Sequence, residues 1–192
     1  ITIKKRNLDH KQTATNLIAP QIKSRYTSYA IDASYLYDVN NFDTREALDK
    51  NIKVTTELAK YIEESIKGKS FGLEVEIGEI GKKNEEGHVV TTPEEAVIFL
   101  KALEENEVYP QVLAIANGSS HGNIYDDQGN MIEQVSIDIP QTIAIAKALR
   151  ENGLNVRIAQ HGITGTPREL ISTVFPKGDI IKGNVGTFWQ NI

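Results

Sequence analysis

His121 and His161 each precede a glycine, and each follows an apolar run, QVLAIA (111–116) and NVRIAQ (155–160) respectively. Asp32 closes a third such run, and Glu74 and Glu76 share one face of a fourth, because strand side chains alternate. If these runs are neighbouring parallel strands, the five groups converge at one end of a sheet. Two imidazoles with carboxylates suit a divalent ion such as zinc, with a position left open for substrate. Simpler roles are also open: a solvated loop histidine, and a strand glutamate that only bonds its neighbours. His10 and His88 stand in charged or loop contexts and read as surface residues.

The glycines offer a second chemistry. In HGITGTP, Gly162, Thr164 and Gly165 stand ahead of a helix start, where backbone N–H groups can hold an anion and a threonine hydroxyl can add a bond. KGNVGT (182–187) offers a similar turn. An ordinary strand-to-helix turn would use the same residues. No GxGxxG or GxxxxGK[ST] loop is present, so nothing points to a nucleotide fold.

Strand and helix signals alternate around these groups. TSYAIDAS (27–34), FGLEVEIG (71–78), QVLAIA, NVRIAQ and GDIIKGNV (178–185) read as strands. Between them, Asp43 with Glu46 predicts a capped helix whose stripe is Leu48, Ile52, Thr55, Ala59, Ile62 and Ile66. Thr92-Pro93-Glu94-Glu95 opens a helix to about Asn106, a third spans about Pro140 to Asn152, and Thr166-Pro167-Arg168-Glu169 predicts a fourth capped start. The segments EIGKKNEEGHVV and NGSSHGNIYDDQGN read as loops. Such alternation implies βαβ units and a parallel sheet, either doubly wound or part of an eight-stranded barrel.

Composition sets the bounds. The 192 residues suffice for one domain, and 40% apolar with 24% charged residues is ordinary for a globular chain. A net charge of −5 argues against non-specific nucleic-acid binding. The absence of cysteine excludes disulfides and thiolate metal sites and fits a reducing cytoplasm. No apolar run approaches a membrane span, and no signal peptide is visible.

In order and spacing, LEVEIGEIG, ANGSSHGNIY, QHGITGTPREL and IIKGNVGT resemble the class II, metal-dependent fructose-bisphosphate aldolases, and YAIDASYLYDVNN resembles that family's Ile-Asp-x-Ser strand end. The likeness runs from about residue 2 to 189 and implies a (β/α)8 barrel, of which 1–192 would be a single domain supplying about the last five βα units. It implies reversible retro-aldol cleavage of a ketose bisphosphate, with fructose 1,6-bisphosphate the default. It further implies Glu76, His121 and His161 as zinc ligands with Asp32 beside them, and Gly122, Gly162, Thr164, Asn184 and Thr187 as substrate or phosphate contacts. Another divalent metal could stand in for zinc, a monovalent cation could also bind, and family members are commonly dimers or larger.

The resemblance breaks in four places. The family's His-x-Asp-His, which carries its catalytic aspartate and a further ligand, is absent, and the opening ITIKKRN is similar to the segment that follows it, so three βα units are expected upstream. Ile163 replaces a glycine, and Gly186 replaces an aspartate before the phosphate-binding threonine. The loop after EIGEIG has no family match, leaving Glu85 or Glu86 as stand-ins for its proton-transfer glutamate. Alternatives are a non-catalytic barrel subunit, an aldolase for tagatose bisphosphate or another sugar phosphate, and a metal-independent α/β binding protein.

Overall fold

A computed structural model describes residues 10–38, 40–78, 83–84, 87–88, 90–119, 124–132 and 136–186. Its centre is a five-stranded parallel sheet of β1 (Ser28–Asp32), β2 (Gly72–Glu76), β5 (Val112–Ala114), β8 (Arg157–Gln160) and β9 (Ile180–Gly183). The strands lie side by side in chain order. A doubly wound sheet reverses direction at a switch point, whereas a barrel adds each strand beside the last. The observed order is the barrel's.

The helices are α1 (His10–Lys23), α2 (Thr44–Ile66), α3 (Pro93–Glu105), α4 (Ile139–Glu151) and α5 (Arg168–Thr173). The expected stripe on α2 is realised from Leu48 to Ile62: Leu48, Ile52, Thr55, Ala59 and Ile62 are buried, and Ile66 is partly buried. Leu48, Ile52, Ala59 and Ile62 join Val75, Phe99, Leu113 and Ile145 in one core between helices and sheet. Each large side chain fully buried there is worth about 1.5–3 kcal/mol. Among the described residues no helix is long and apolar enough to cross a membrane.

The helix starts test the capping signals one by one. Thr92 accepts from the Glu95 amide while the Glu95 carboxylate accepts from the Thr92 amide, a complete capping box. Asp43 caps α2, but Glu46 turns to the Asn41 side chain, which closes the preceding turn instead. The Thr166 cap does not form. Pro167 occupies the N-cap of α5, which spans only six residues, and the buried Thr166 hydroxyl has no partner among the described residues. The helix α1 was not foreseen, since it lacks a marked apolar stripe and contains Pro20. The two expected loops carry short antiparallel hairpins, β3 (Lys83–Asn84) with β4 (Gly87–His88) and β6 (Ile124–Tyr125) with β7 (Met131–Ile132).

Candidate functional site

The site lies at the carboxyl ends of the parallel strands. Asp32 and Glu76 are the last residues of β1 and β2 and stand opposite each other in the ladder. Glu74 points to the same side, two residues earlier, and both glutamates are buried. His161 follows β8 directly, Lys182 lies within β9, and Asn184 follows that strand. Parallel pairing therefore brings together groups that lie up to 152 positions apart in sequence, from Asp32 to Asn184.

The His161 ring is held between the two glutamates. Its Nε2 lies 2.9 Å from Glu74 Oε1, and its Nδ1 lies 3.5 Å from Glu76 Oε2. Lys182 Nζ donates to the other Glu74 oxygen at 2.8 Å. The Asn184 amide approaches Nε2 at 2.6 Å. If Nε2 carries its proton toward Glu74, that amide must turn its oxygen to the ring, so that N–H does not face N–H.

The two carboxyls differ in ionisation. Burial would raise Glu74, but hydrogen bonds from His161 and Lys182 outweigh it and hold its pKa below the ordinary glutamate value. Among the described residues no lysine or arginine bonds Glu76. Burial, then the charges of Asp32 and Glu74, push its pKa up to about 9. A buried acid facing a ring nitrogen can move a proton, or can give it up to a cation that replaces it.

Each group is braced from behind. Asn51 of α2 donates to the Glu76 carbonyl at 3.1 Å, and Thr55 donates to Asn51 at 2.9 Å. Asp32 accepts from the Ser34 amide and hydroxyl, at 3.1 and 2.7 Å. Gly78 is required where β2 leaves the sheet. Its φ is +118°, and a Cβ there would lie 2.8 Å from that of Ala116.

Of the residues singled out by sequence, the structure thus gathers Asp32, Glu74, Glu76, His161 and Asn184. Gly162 is buried beside His161 with φ +62°, and Thr164 is half-buried in the following turn. Ile163 is buried with its Cδ1 over Gly183, 3.2 Å from where a Cβ would stand. Gly186 is exposed. His121, Gly122, Glu85, Glu86 and Thr187 lie outside the described residues. Sequence reading passed over Lys182, Asn117 and Gln160. Lys182 was detectable as a cation two residues before Asn184, in a strand otherwise made of Ile and Gly.

The site partly fits a metal ion. Among the described residues no three ligand-type side chains are grouped to hold one. The 3.5 Å between His161 Nδ1 and Glu76 Oε2 nevertheless matches the edge between two ligands on a tetrahedral zinc, about 3.3–3.5 Å for bonds of about 2.0–2.2 Å. Glu74 on the opposite ring nitrogen is the usual partner of a ligating histidine.

An in-order parallel sheet with carboxylates and an imidazole at its carboxyl ends defines a barrel-type α/β chain with its reactive groups on the face where barrels carry them. The chain belongs to the class-II fructose-bisphosphate aldolase family, whose model matches residues 6–192. Among solved structures, it is similar to a Coccidioides immitis protein assigned as a fructose-1,6-bisphosphate aldolase (TM-score 0.53, 24% identity, 82% of this chain and 47% of that one). It is also similar to the fructuronate-tagaturonate epimerase of Cohnella laeviribosi (TM-score 0.62, 14% identity, 98% and 43%). A third is a Sinorhizobium meliloti protein named for tagatose 6-phosphate kinase (TM-score 0.55, 18% identity, 94% and 43%). At these identities the likenesses establish the fold. The chain spans about half the length of the solved structures it matches. No curated protein matches it.

Proposed function

We propose that this chain carries part of the active site of a zinc-dependent aldolase that reversibly cleaves a ketose bisphosphate, by default fructose 1,6-bisphosphate. The observation that supports it most is the His161 ring, placed between Glu74 and Glu76 at the carboxyl end of the sheet. In this reading His161 and Glu76 hold the ion together with His121. Asp32 adds negative charge beside them, and Glu74 orients the His161 ring. A bound divalent ion supplies the electrophile that polarises the substrate carbonyl.

The chain's own residues do the rest. Asn184, within reach of His161, positions the substrate. Backbone amides around Gly162 and Thr164 hold a phosphate, with Gly122 and Thr187 as further contacts. Glu85 or Glu86 is the candidate for proton transfer from the neighbouring loop. The protein acts in the cytoplasm as a homodimer or larger assembly. A tagatose bisphosphate or another sugar phosphate is the second reading. It is favoured by Ile163, whose side chain occupies the space above Gly183 in the anion turn.

The test is zinc content and cleavage of each bisphosphate, coupled to detection of triose phosphate, before and after chelation. Activity lost on chelation and restored by zinc supports the reading. Activity that survives complete zinc removal, or a chain that binds no zinc and cleaves neither sugar, overturns it.

A further inference from the structure

We infer that Asn117 and Gln160, a buried pair of side-chain amides, are positioning residues that fix the β8 strand end carrying His161 against the chain leaving β5. The inference rests on the metal-site reading above.

The backbone ladder between β5 and β8 ends at the Ala114–Ala159 pair. Beyond it side chains take over the pairing. Asn117 Nδ2 donates to Gln160 Oε1 at 2.8 Å, and Gln160 Nε2 donates back to Asn117 Oδ1 at 3.2 Å. Both residues are essentially inaccessible to solvent. The remaining amide protons are also used: Asn117 donates to Thr142 Oγ1 at 3.0 Å, and Gln160 to the carbonyl of His161 at 2.8 Å.

The direction of this chain is fixed. Thr142 gives its own proton to the Asp138 carbonyl at 2.8 Å, so it can only accept from Asn117. Turning either amide over would set oxygen against oxygen in a buried site, at about 1–3 kcal/mol for each unsatisfied group. The start of α4 therefore dictates, through two amides, the hydrogen bond on the His161 backbone.

The same asparagine ties together the two ends of the segment from 117 to 138. Its carbonyl accepts from the Asp138 amide at 2.8 Å, and it bridges to Val90. Next to it, Gly118 has φ +85°, and its carbonyl accepts from Ser136 Oγ at 2.7 Å. A Cβ on Gly118 would strike the Ser136 carbonyl. One amide pair thus ties the chain leaving β5 to the His161 backbone. An apolar pair would fill the volume but would fix neither direction nor spacing.

The test uses the full-length protein with Asn117→Leu/Gln160→Met, which removes both amides together, and Thr142→Val, an isostere that removes only the hydroxyl fixing their orientation. Replacing both partners of a buried pair is often close to neutral for stability, so the double variant should fold with a similar Tm. The expected result is a kcat lower by about 10–100-fold with KM little changed, and weaker zinc binding by about the same factor, as for other groups that orient metal ligands. Thr142→Val should move both in the same direction by at least threefold, and it decides the matter if the double variant does not fold. Unchanged kcat and zinc affinity, within twofold, in the variants that fold would overturn the inference. The 15N shifts of the His161 ring in the metal-free protein provide a readout independent of zinc. Their displacement in the variants supports positioning even if the parent proves to bind no metal. Unmoved shifts argue against it.

Discussion

At the scale of single residues, the two glutamates beside His161 make opposite demands on pH. Glu76 holds its proton in the folded chain up to about pH 9, whereas the unfolded chain releases it near the ordinary glutamate value. The native state then binds more protons than the unfolded one across that interval, so metal-free stability falls as pH rises through it. Glu76→Gln should remove that slope. In thermal melts of metal-free protein it should exceed the parent at pH 8 and match it near pH 4. A parent melting temperature that climbs from pH 5 to pH 8, with the variant following it, would contradict the raised pKa. Glu74 runs the other way. Its depressed pKa stabilises the fold above the unfolded value and is lost as pH falls through the folded one. Lys182→Met should therefore cost about 1 kcal/mol or less at neutral pH, since the lysine is half exposed and screened, and nothing once Glu74 is protonated. Denaturant titrations at pH 7 and at successively lower pH test this: the cost should shrink as the pH falls. Much of this site was legible, because Asp32, Glu76 and His161 all stand at the ends of apolar runs. Asn117 and Gln160 were not, because one reads as a loop residue and the other as the last residue of a strand until the partner 43 positions away is known.

At the scale of elements, capping separates signals that look alike in sequence. Thr92→Ala and Asp43→Ala each remove a realised cap and should cost about 1 kcal/mol. Thr166→Ala removes no cap, and it deletes a buried hydroxyl with no described partner, so it should be neutral or slightly stabilising. Urea unfolding of the three variants tests the contrast, and a loss at Thr166 equal to that at Thr92 would contradict it. The long helices and the strands were legible because their periods are clean, as in Leu48 to Ile62 on α2. The helix α1 was not, since its burial comes from tertiary packing: Ile18 is fully buried in a segment without a strong stripe. The α5 start misled because Pro167 took the position that the threonine would have needed.

At the scale of the molecule, sequence alternation implied parallel βαβ units but left barrel and doubly wound sheet open, since strand order is a tertiary property. The chain-order sheet decides for the barrel. It also leaves β1 and β9 with one sheet neighbour each among the described residues. Ile181 on β9 is 56% exposed, so that edge combines an apolar side chain with backbone that has no strand partner among the described residues. The 192-residue chain should self-associate, and Ile181→Lys should shift it toward monomer in light scattering after size exclusion, because an edge charge discourages pairing. A parent that stays monomeric at high concentration would remove the basis for this. The strand order has a further consequence for synthesis. Every strand docks against one already made, so the sheet can grow on the ribosome in the order in which it is translated. A nascent chain stalled with β8 still in the exit tunnel would hold β1, β2 and β5 outside it but not Gln160. The Asn117 amide would still face water at that stage, waiting for Gln160 to emerge.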